Sequence, residues 1–517
     1  MSGARYQVKI YGITIGYFSR QPTINSKINL KIRHFTASSR IYLGTIIVKQ
    51  AGYPLEQAKP SHNNERVRKK TAKTRTRPNP IPPASKTDFT SGTILVLSLF
   101  FLFRLGFGLS TEIWFVDQQQ IYLLGLKFYT TGLWPYFGPD VAYHIQLPGA
   151  LQGLTVGLPL YLLPIPEAPY LFLALLSFSG LCLFAWYCSK RLPEFPQWII
   201  WTWLLTAPWT MNWSTNIDND SYALFGAILF FMGFIESIPA LSAGFLPMPT
   251  ANFMMGFAFL WNSQFHMSYV LMVPYFIFSI ASQIKQGAPK LLRTLSFFIL
   301  GALTSGVFMI PTFTEFGFIQ GMGGSGNAVA FNRDNLTSFI TILFRFISLA
   351  CCEIPRFLGA NSADRWTFLK GNLLTFPFTV TAVAVGIAQT LTLFFSGFRN
   401  QHPQKDWKAV RLLTILTFCL IYLSFLFAIK TPAAHTYYIT LPIAMLYGFY
   451  VFSPWATRKW FLNTAKVLLT CNLIFHAGLA LHNFPTKSLY KDRGVFVKAI
   501  SEKNYHLLGE RRPETLY

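Results

Sequence analysis

The chain has 517 residues, of which 52% are hydrophobic, 17% aromatic and 12% charged, with 44 Lys and Arg against 20 Asp and Glu. Together with a mean hydropathy of +0.36, this composition excludes a soluble domain around one core and points to an all-α polytopic membrane protein. The net charge of +24 does not imply a nucleic-acid partner, because most of it sits in one tract.

That tract comes first. Residues 1–87 hold 17 Lys and Arg against Glu56 and Glu65, a net of +15. Within it, ERVRKKTAKTRTRPNPIPP (65–83) is charged and closed by prolines, too poor in apolar groups to order itself. Residues 1–89 are expected to be a basic, disordered extension held in the cytoplasm, with a targeting role open for 1–60. A transmembrane domain is expected over 90–482 and a short tail over 483–517.

A crossing helix needs about 17–25 mainly apolar residues. Such windows fall near 91–110, 169–188, 197–212, 221–240, 249–262, 266–284, 294–312, 371–397, 410–429, 437–453 and 461–482. Two more apolar stretches are ambiguous: 145–164, which carries Pro148, Pro159 and Pro164, and 335–352, which carries Arg345. If both lie along the membrane, the clusters Lys190/Arg191, Lys285/Lys290/Arg293, Arg399/Lys405/Lys408/Arg411 and Arg458/Lys459 all face the cytoplasm. Charge parity therefore favours eleven crossings within a range of 11–13, N-terminus inside and C-terminus outside. Glu236 is the chief charge expected within a span, and no internal repeat is evident.

With that topology one face collects the polar chemistry. Asp117, Asp140, His144, Asp218, Asp220, His266, Glu315, Lys430 and His435 all come to the non-cytoplasmic side. Asp117 opens FVDQQQIYLLGLKF (115–128), read as an amphipathic helix with Ile121, Leu124 and Phe128 on its apolar face. Asp117 there can be an N-cap, with Gln120 completing a capping box, and a proton acceptor as well. GLWPYFGPDVAYHIQLPGALQGLTVGLPLYLL (132–163) reads as a turn-rich loop leading into a proline-broken apolar helix.

The order Asp117, Gly132-Leu133-Trp134-Pro135-Tyr136, His144 and Pro148 resembles the GT-C class of membrane glycosyltransferases. The likeness is to its protein mannosyltransferase and lipid A aminoarabinose transferase group. APWTMNWSTNIDNDSYALFGAILFF (207–231) and AIKTPAAHTYYITLPIAMLYG (428–448) are similar to later patterns of that group, so the resemblance covers roughly 90–455. His266, in WNSQFHMSY (261–269), departs from the more usual Lys-Gly there.

The resemblance implies a GT-C-like fold and transfer of a sugar from a polyprenyl-phosphate donor to a lipid, glycan or protein acceptor. It implies Asp117 as general base, and Asp220 or Asp218 orienting the acceptor or a divalent metal such as Mg or Mn. Lys430 and His435 would hold the donor phosphate, with His144, His266, Arg333, Arg356 and Arg365 as lesser candidates. A bacterial plasma membrane is the expected location, with cell-envelope glycosylation as the expected role. A transporter or lipid-linked saccharide flippase is the competing class.

No P-loop, GxGxxG fingerprint, zinc spacing or nucleophile elbow appears. The six cysteines lie mostly in apolar segments and read as packing residues. Two sequons begin at Asn212 and Asn335.

Overall fold

A computed structural model describes residues 91–112, 116–141, 145–285, 291–323, 329–348, 354–359, 361–399 and 402–509. The basic extension 1–89 and His144 lie outside the described residues. The protein is helical, with one small antiparallel hairpin among the described residues, and the fold bears out an all-α membrane protein.

The chain enters through α1 (Ser91–Thr111) and continues into α2 (Val116–Thr131). Strands β1 (Phe137–Val141) and β2 (Ile145–Pro148) follow, paired Phe137 to Pro148 and Val141 to Ile145 across a bulge. Next comes α3 (Leu151–Leu162), only 12 residues, so about 18 Å long and too short to cross. The hairpin was expected only as a turn-rich loop, and the helix that 145–164 contains is shorter than a crossing needs.

α2 differs from the amphipathic surface helix expected. Ile121, Tyr122, Leu123, Leu124 and Leu126 are all buried, so its apolar residues are covered on more than one face. One cover is α3. A Cβ on Gly125 would run into Val156 and the Gly153 carbonyl, and one on Gly157 into the Gly125 carbonyl, so glycines let the two backbones touch.

α4 (Ala168–Arg191), α5 (Gln197–Thr206), α6 (Pro208–Asn212), α7 (Asn219–Ser237) and α8 (Met248–Ser263) come next. They are followed by α9 (Met272–Lys285), α10 (Leu291–Gly306) and α11 (Ile310–Gly321). The long connection between α11 and the next long helix carries α12 (Phe339–Ile347), α13 (Ile354–Leu358) and α14 (Ser362–Gly371). α12 has nine residues, so the expected surface stretch 335–352 holds no helix long enough to cross among the described residues. The chain closes with α15 (Phe376–Ser396), α16 (Trp407–Leu426), α17 (Leu441–Phe452), α18 (Lys459–Lys487) and α19 (Arg493–Ser501).

Among the described residues, eight helical segments are long and apolar enough to span a bilayer. The other three expected spans are shorter. Window 197–212 is broken at Pro208, which has no N–H to continue the ladder; 249–262 gives 16 residues and 437–453 gives the 12 of α17. α7 and α17 are buried almost throughout, so their apolar all-round sequences face protein rather than lipid.

Two polar features of the bundle were not foreseen. Arg104, in the C-terminal half of α1, is 1% exposed. It donates to the carbonyls of Leu205 (2.8 Å) and Thr210 (3.1 Å) and to the Ser214 hydroxyl (2.7 Å). The break at Pro208 exposes helix-end carbonyls, and a buried cation takes them up. Arg104, and not Glu236, is the charge embedded along a span; Glu236 sits in the last turn of α7.

There, at the basic end of the bundle, Glu236 accepts from Tyr187 (2.8 Å), the Ser242 hydroxyl (3.0 Å) and the Gly244 N–H (2.9 Å). Arg191 donates to Tyr187 and Tyr450 and pairs with Asp406 at 2.5 Å and Glu236 at 3.6 Å.

The tail is part of the bundle. Arg493 pairs with Glu167 at 2.6 Å, Phe496 packs edge-on against Tyr122, and Gln119 donates to the Leu508 carbonyl at 3.1 Å. The segment 489–509 is thus a second cover for α2.

Candidate functional site

The site lies at the end of the bundle where α1 stops and α7 starts. α2 begins at Val116, so Asp117 lies inside its first turn rather than at the cap. The capping box is absent as well: Gln120 accepts from the Asp140 backbone N–H at 3.0 Å instead of turning back. Asp117 is exposed and has no hydrogen bond among the described residues, and the positive end of the helix dipole favours its negative charge. Partial burial raises its pKa, and the Lys430 ammonium opposes that rise.

Gln118, next along, donates to Asp218 Oδ2 at 2.6 Å. That bond ties the start of α2 to the start of α7. Asp218 is the N-cap of α7, its Oδ1 accepting from the Asn219 N–H at 2.7 Å. Burial pushes its pKa up to about 6, against the pull of the Asn219 and Gln118 hydrogen bonds, and the Asp117 charge adds to the rise. So Asp218 does cap, and its carboxylate also stands next to Asp117.

Asp220 is 1% exposed, and neither of its carboxylate oxygens has a hydrogen-bond partner of ordinary geometry. The nearest donors are its own and Ser221's backbone N–H groups. A buried carboxylate left so is costly, which marks the position as one held for a ligand or a proton. Glu112, not singled out from the sequence, is buried as an electrostatic neighbour of Asp218: Oε2 accepts from the Ile217 N–H at 3.4 Å, the Tyr170 hydroxyl is its other polar neighbour, and burial raises its pKa strongly. Its only sequence signal was an acidic residue one step past the end of a span.

The basic side comes from elsewhere in the chain. Asn335, fully buried, donates to the carbonyls of Phe425 (2.8 Å) and Lys430 (2.9 Å), and Arg345 donates to Pro432 at 2.6 Å. These bonds fix 425–432 and with it Lys430, which is exposed. His435 follows, its ring 5.2 Å from Trp213 and its Nδ1 without a partner. Burial, then the charges of Arg356, Lys430 and Arg345, lower its pKa to about 4, so it is a neutral imidazole near neutral pH. Positive charge here therefore comes from Lys430, Arg345 and Arg356 rather than from His435.

His266 completes the group. Its Nδ1 accepts from the Ser268 N–H at 3.1 Å, which leaves the ring proton of the neutral form on Nε2. Burial and the neighbouring His435 and Lys430 hold its pKa at about 3. Lys430 is thus an electrostatic neighbour of Asp117, His266 and His435 at once, yet no ion pair closes between it and Asp117 among the described residues.

Other expected residues stand apart. Arg365 donates Nε to the Gly359 carbonyl at 3.0 Å, and Arg333 is exposed with no hydrogen bond or ion pair to the cluster among the described residues. Asp140 is spent inside the hairpin, accepting from Gln146 at 2.7 Å, and Glu315 is exposed on α11. The sequon asparagines are occupied too: Asn335 as above, and Asn212 in donating to the Pro208 carbonyl at 2.9 Å.

Among the described residues no three His, Cys, Asp or Glu side chains converge as metal ligands. Two of the oxygens an ion would need, those of Asp218, already accept hydrogen bonds. The residues present do not fit a Mg or Mn site.

What the arrangement can do is limited and specific. An exposed carboxylate of raised basicity is the electrostatic neighbour of an exposed ammonium and of a second carboxylate, and the ammonium in turn acts on two buried neutral imidazoles. That set can take a proton from a hydroxyl on one side and hold an anion on the other. Comparison of the chain with protein-family models, curated protein sequences and solved structures finds no match.

Proposed function

We propose that the protein is a membrane glycosyltransferase, moving a sugar from a polyprenyl-phosphate donor to an acceptor hydroxyl on the non-cytoplasmic face of a bacterial plasma membrane. The observation that carries the reading is that Asp117, His266 and His435, from separate parts of the chain, all lie within the electrostatic reach of Lys430, which closes no ion pair among the described residues. In this reading the chain crosses eleven times, the three shorter helical stretches included. The clusters of Lys and Arg then mark the cytoplasmic end, and Asp117 faces out.

Asp117 takes the acceptor's hydroxyl proton while the oxygen attacks the anomeric carbon. The bond from that carbon to the phosphate oxygen breaks, and its electron pair leaves with the lipid phosphate. Lys430 and Arg356, aided by Arg345, stabilise that growing charge, the largest electrostatic term expected in the step. Asp218 and Asp220 orient the acceptor, and His435 and His266 serve as neutral donors of hydrogen bonds. Inversion at the anomeric carbon is what a single displacement requires.

Buried charges among the spans, Arg104 above all, favour a second reading, a transporter or flippase of lipid-linked saccharide. Mass spectrometry of lipid-linked and surface glycans, in cells lacking the protein and complemented with wild type or Asp117→Asn, separates the two. Transfer predicts a missing sugar on the acceptor and a build-up of donor in both the null and the Asp117→Asn cells. Normal glycans in the Asp117→Asn cells would overturn the transferase reading.

A further inference from the structure

A groove of about 350 Å³ runs along the bundle between α5, α15 and α18, at the end away from the Asp117–Lys430 cluster. Its volume is in the range of small-molecule sites, yet its walls are almost wholly apolar, so it does not suit a sugar. Four tryptophans line it: Trp198, Trp203, Trp455 and Trp460. Trp198, Trp455 and Trp460 gather at one end, while Thr206 and Asn472 mark the inner end.

From Trp460 to Asn472 is twelve helical residues, and from Trp198 to Thr206 eight, so the groove is about 12–18 Å long at 1.5 Å per residue. One leaflet of a bilayer's hydrocarbon core is about 15 Å deep. The tryptophans fall where an aromatic belt sits, at the interface, and the groove is one acyl chain deep.

Cations stand at that same end. The Arg399 guanidinium lies 5.9 Å from the Trp455 ring, over a wall of the groove, and Arg458 and Lys459 precede Trp460 at the start of α18. All three are exposed. An apolar channel of leaflet depth with a basic mouth is complementary to an acyl chain under a negative headgroup.

We infer that this groove binds one chain of an anionic phospholipid from the leaflet at the basic end of the bundle, with Arg399, Arg458 and Lys459 on its headgroup. The lipid fills a seam between α5, α15 and α18 that protein side chains leave open. The site is separate from the acid–base cluster and does not depend on its reading.

The test uses the full-length chain purified in mild detergent. Native mass spectrometry and lipid extraction should find about one anionic phospholipid per wild-type chain. Added phosphatidylglycerol should raise the melting temperature of delipidated protein by several degrees, and phosphatidylcholine should not. The triple variant Arg399→Gln, Arg458→Gln, Lys459→Gln should bind the lipid at least tenfold more weakly. Ala465→Trp, which fills the groove, should release it; if that variant fails to fold, the triple variant alone decides. Equal stabilisation by phosphatidylcholine, retention of the lipid by the triple variant, or recovery of a polyprenyl phosphate in its place would each overturn the inference.

Discussion

The two ends of the bundle hold buried charge in opposite ways. At the basic end, Arg191 is surrounded: Asp406 and Glu236 pair with it, Tyr187 and Tyr450 accept from it, and the Leu241 carbonyl takes a further N–H. Glu236 in turn accepts from the backbone N–H groups of Ala243, Gly244 and Phe245. Every strong group there is spoken for. At the other end Asp220 is as deeply buried as Glu236 yet neither of its carboxylate oxygens has a hydrogen-bond partner of ordinary geometry, and Asp117 and Lys430 are electrostatic neighbours that close no ion pair among the described residues.

A saturated network cross-links helices and has no donor or acceptor left for a ligand. An unsaturated one stores the cost of desolvation until something arrives to meet it. The difference separates a structural cluster from a candidate site more sharply than residue type does, since both ends contain acids, bases and aromatics.

The widest separation of the two ends comes from single substitutions. Asp117→Asn should cut turnover by about 10²–10⁴-fold, the usual worth of a general base, while leaving the melting temperature within experimental error. Both are measurable on purified protein with a lipid-linked sugar donor. A variant within a few fold of wild type would remove the proton acceptor from the mechanism.

At the basic end the pattern should reverse. Arg191→Met leaves Glu236 and Asp406 buried or half-buried without their cation, and breaking such a pair costs about 3–5 kcal/mol. Yield and melting temperature should drop, with turnover per folded molecule unchanged. A stable but inactive Arg191→Met protein would erase the distinction drawn here.

Next in size is Lys430→Ala. Losing a charge-assisted contact of about 1.5–3 kcal/mol should weaken donor use about ten- to a hundredfold and acceptor use much less. Unchanged donor dependence would leave Lys430 as a lysine reaching for headgroups.

The smallest effects are in pH. A general base works only when ionised, so activity should rise with pH as the raised Asp117 and the Asp218 of about pKa 6 lose their protons. Asp218→Asn removes a like charge, so the acidic limb should move to lower pH. His435, held at about 4 by burial and three cations, should titrate higher once a donor phosphate offsets those charges. An NMR titration with and without polyprenyl phosphate reads this directly, and no movement would place the phosphate elsewhere.

Removing 489–517 sharpens one further point. Because the tail covers α2 through Phe496 and Leu508 and is tied to the start of α4 by Arg493, its loss should loosen Asp117's helix and lower activity without abolishing insertion. Protease sensitivity near α2 would report the loosening.

By itself the sequence determined the membrane class, most of the long apolar helices and the proline-broken character of 145–164. Those features follow from hydropathy, charge and proline, which act locally and can be read residue by residue. It also brought Asp117, Asp218, Asp220, Lys430 and His435 into view, because an acid or base beside a span is visible as a break in an apolar run. Only the tertiary structure decided what each one does. Whether Gln120 caps its own helix or reaches Asp140, whether Asp140 is free or spent on Gln146, and whether His435 is charged among Arg345, Arg356 and Lys430 all depend on partners distant in the chain. Arg104 is the plainest case. Its partners are backbone carbonyls about a hundred residues away, exposed by the break at Pro208, and a carbonyl has no letter in the sequence.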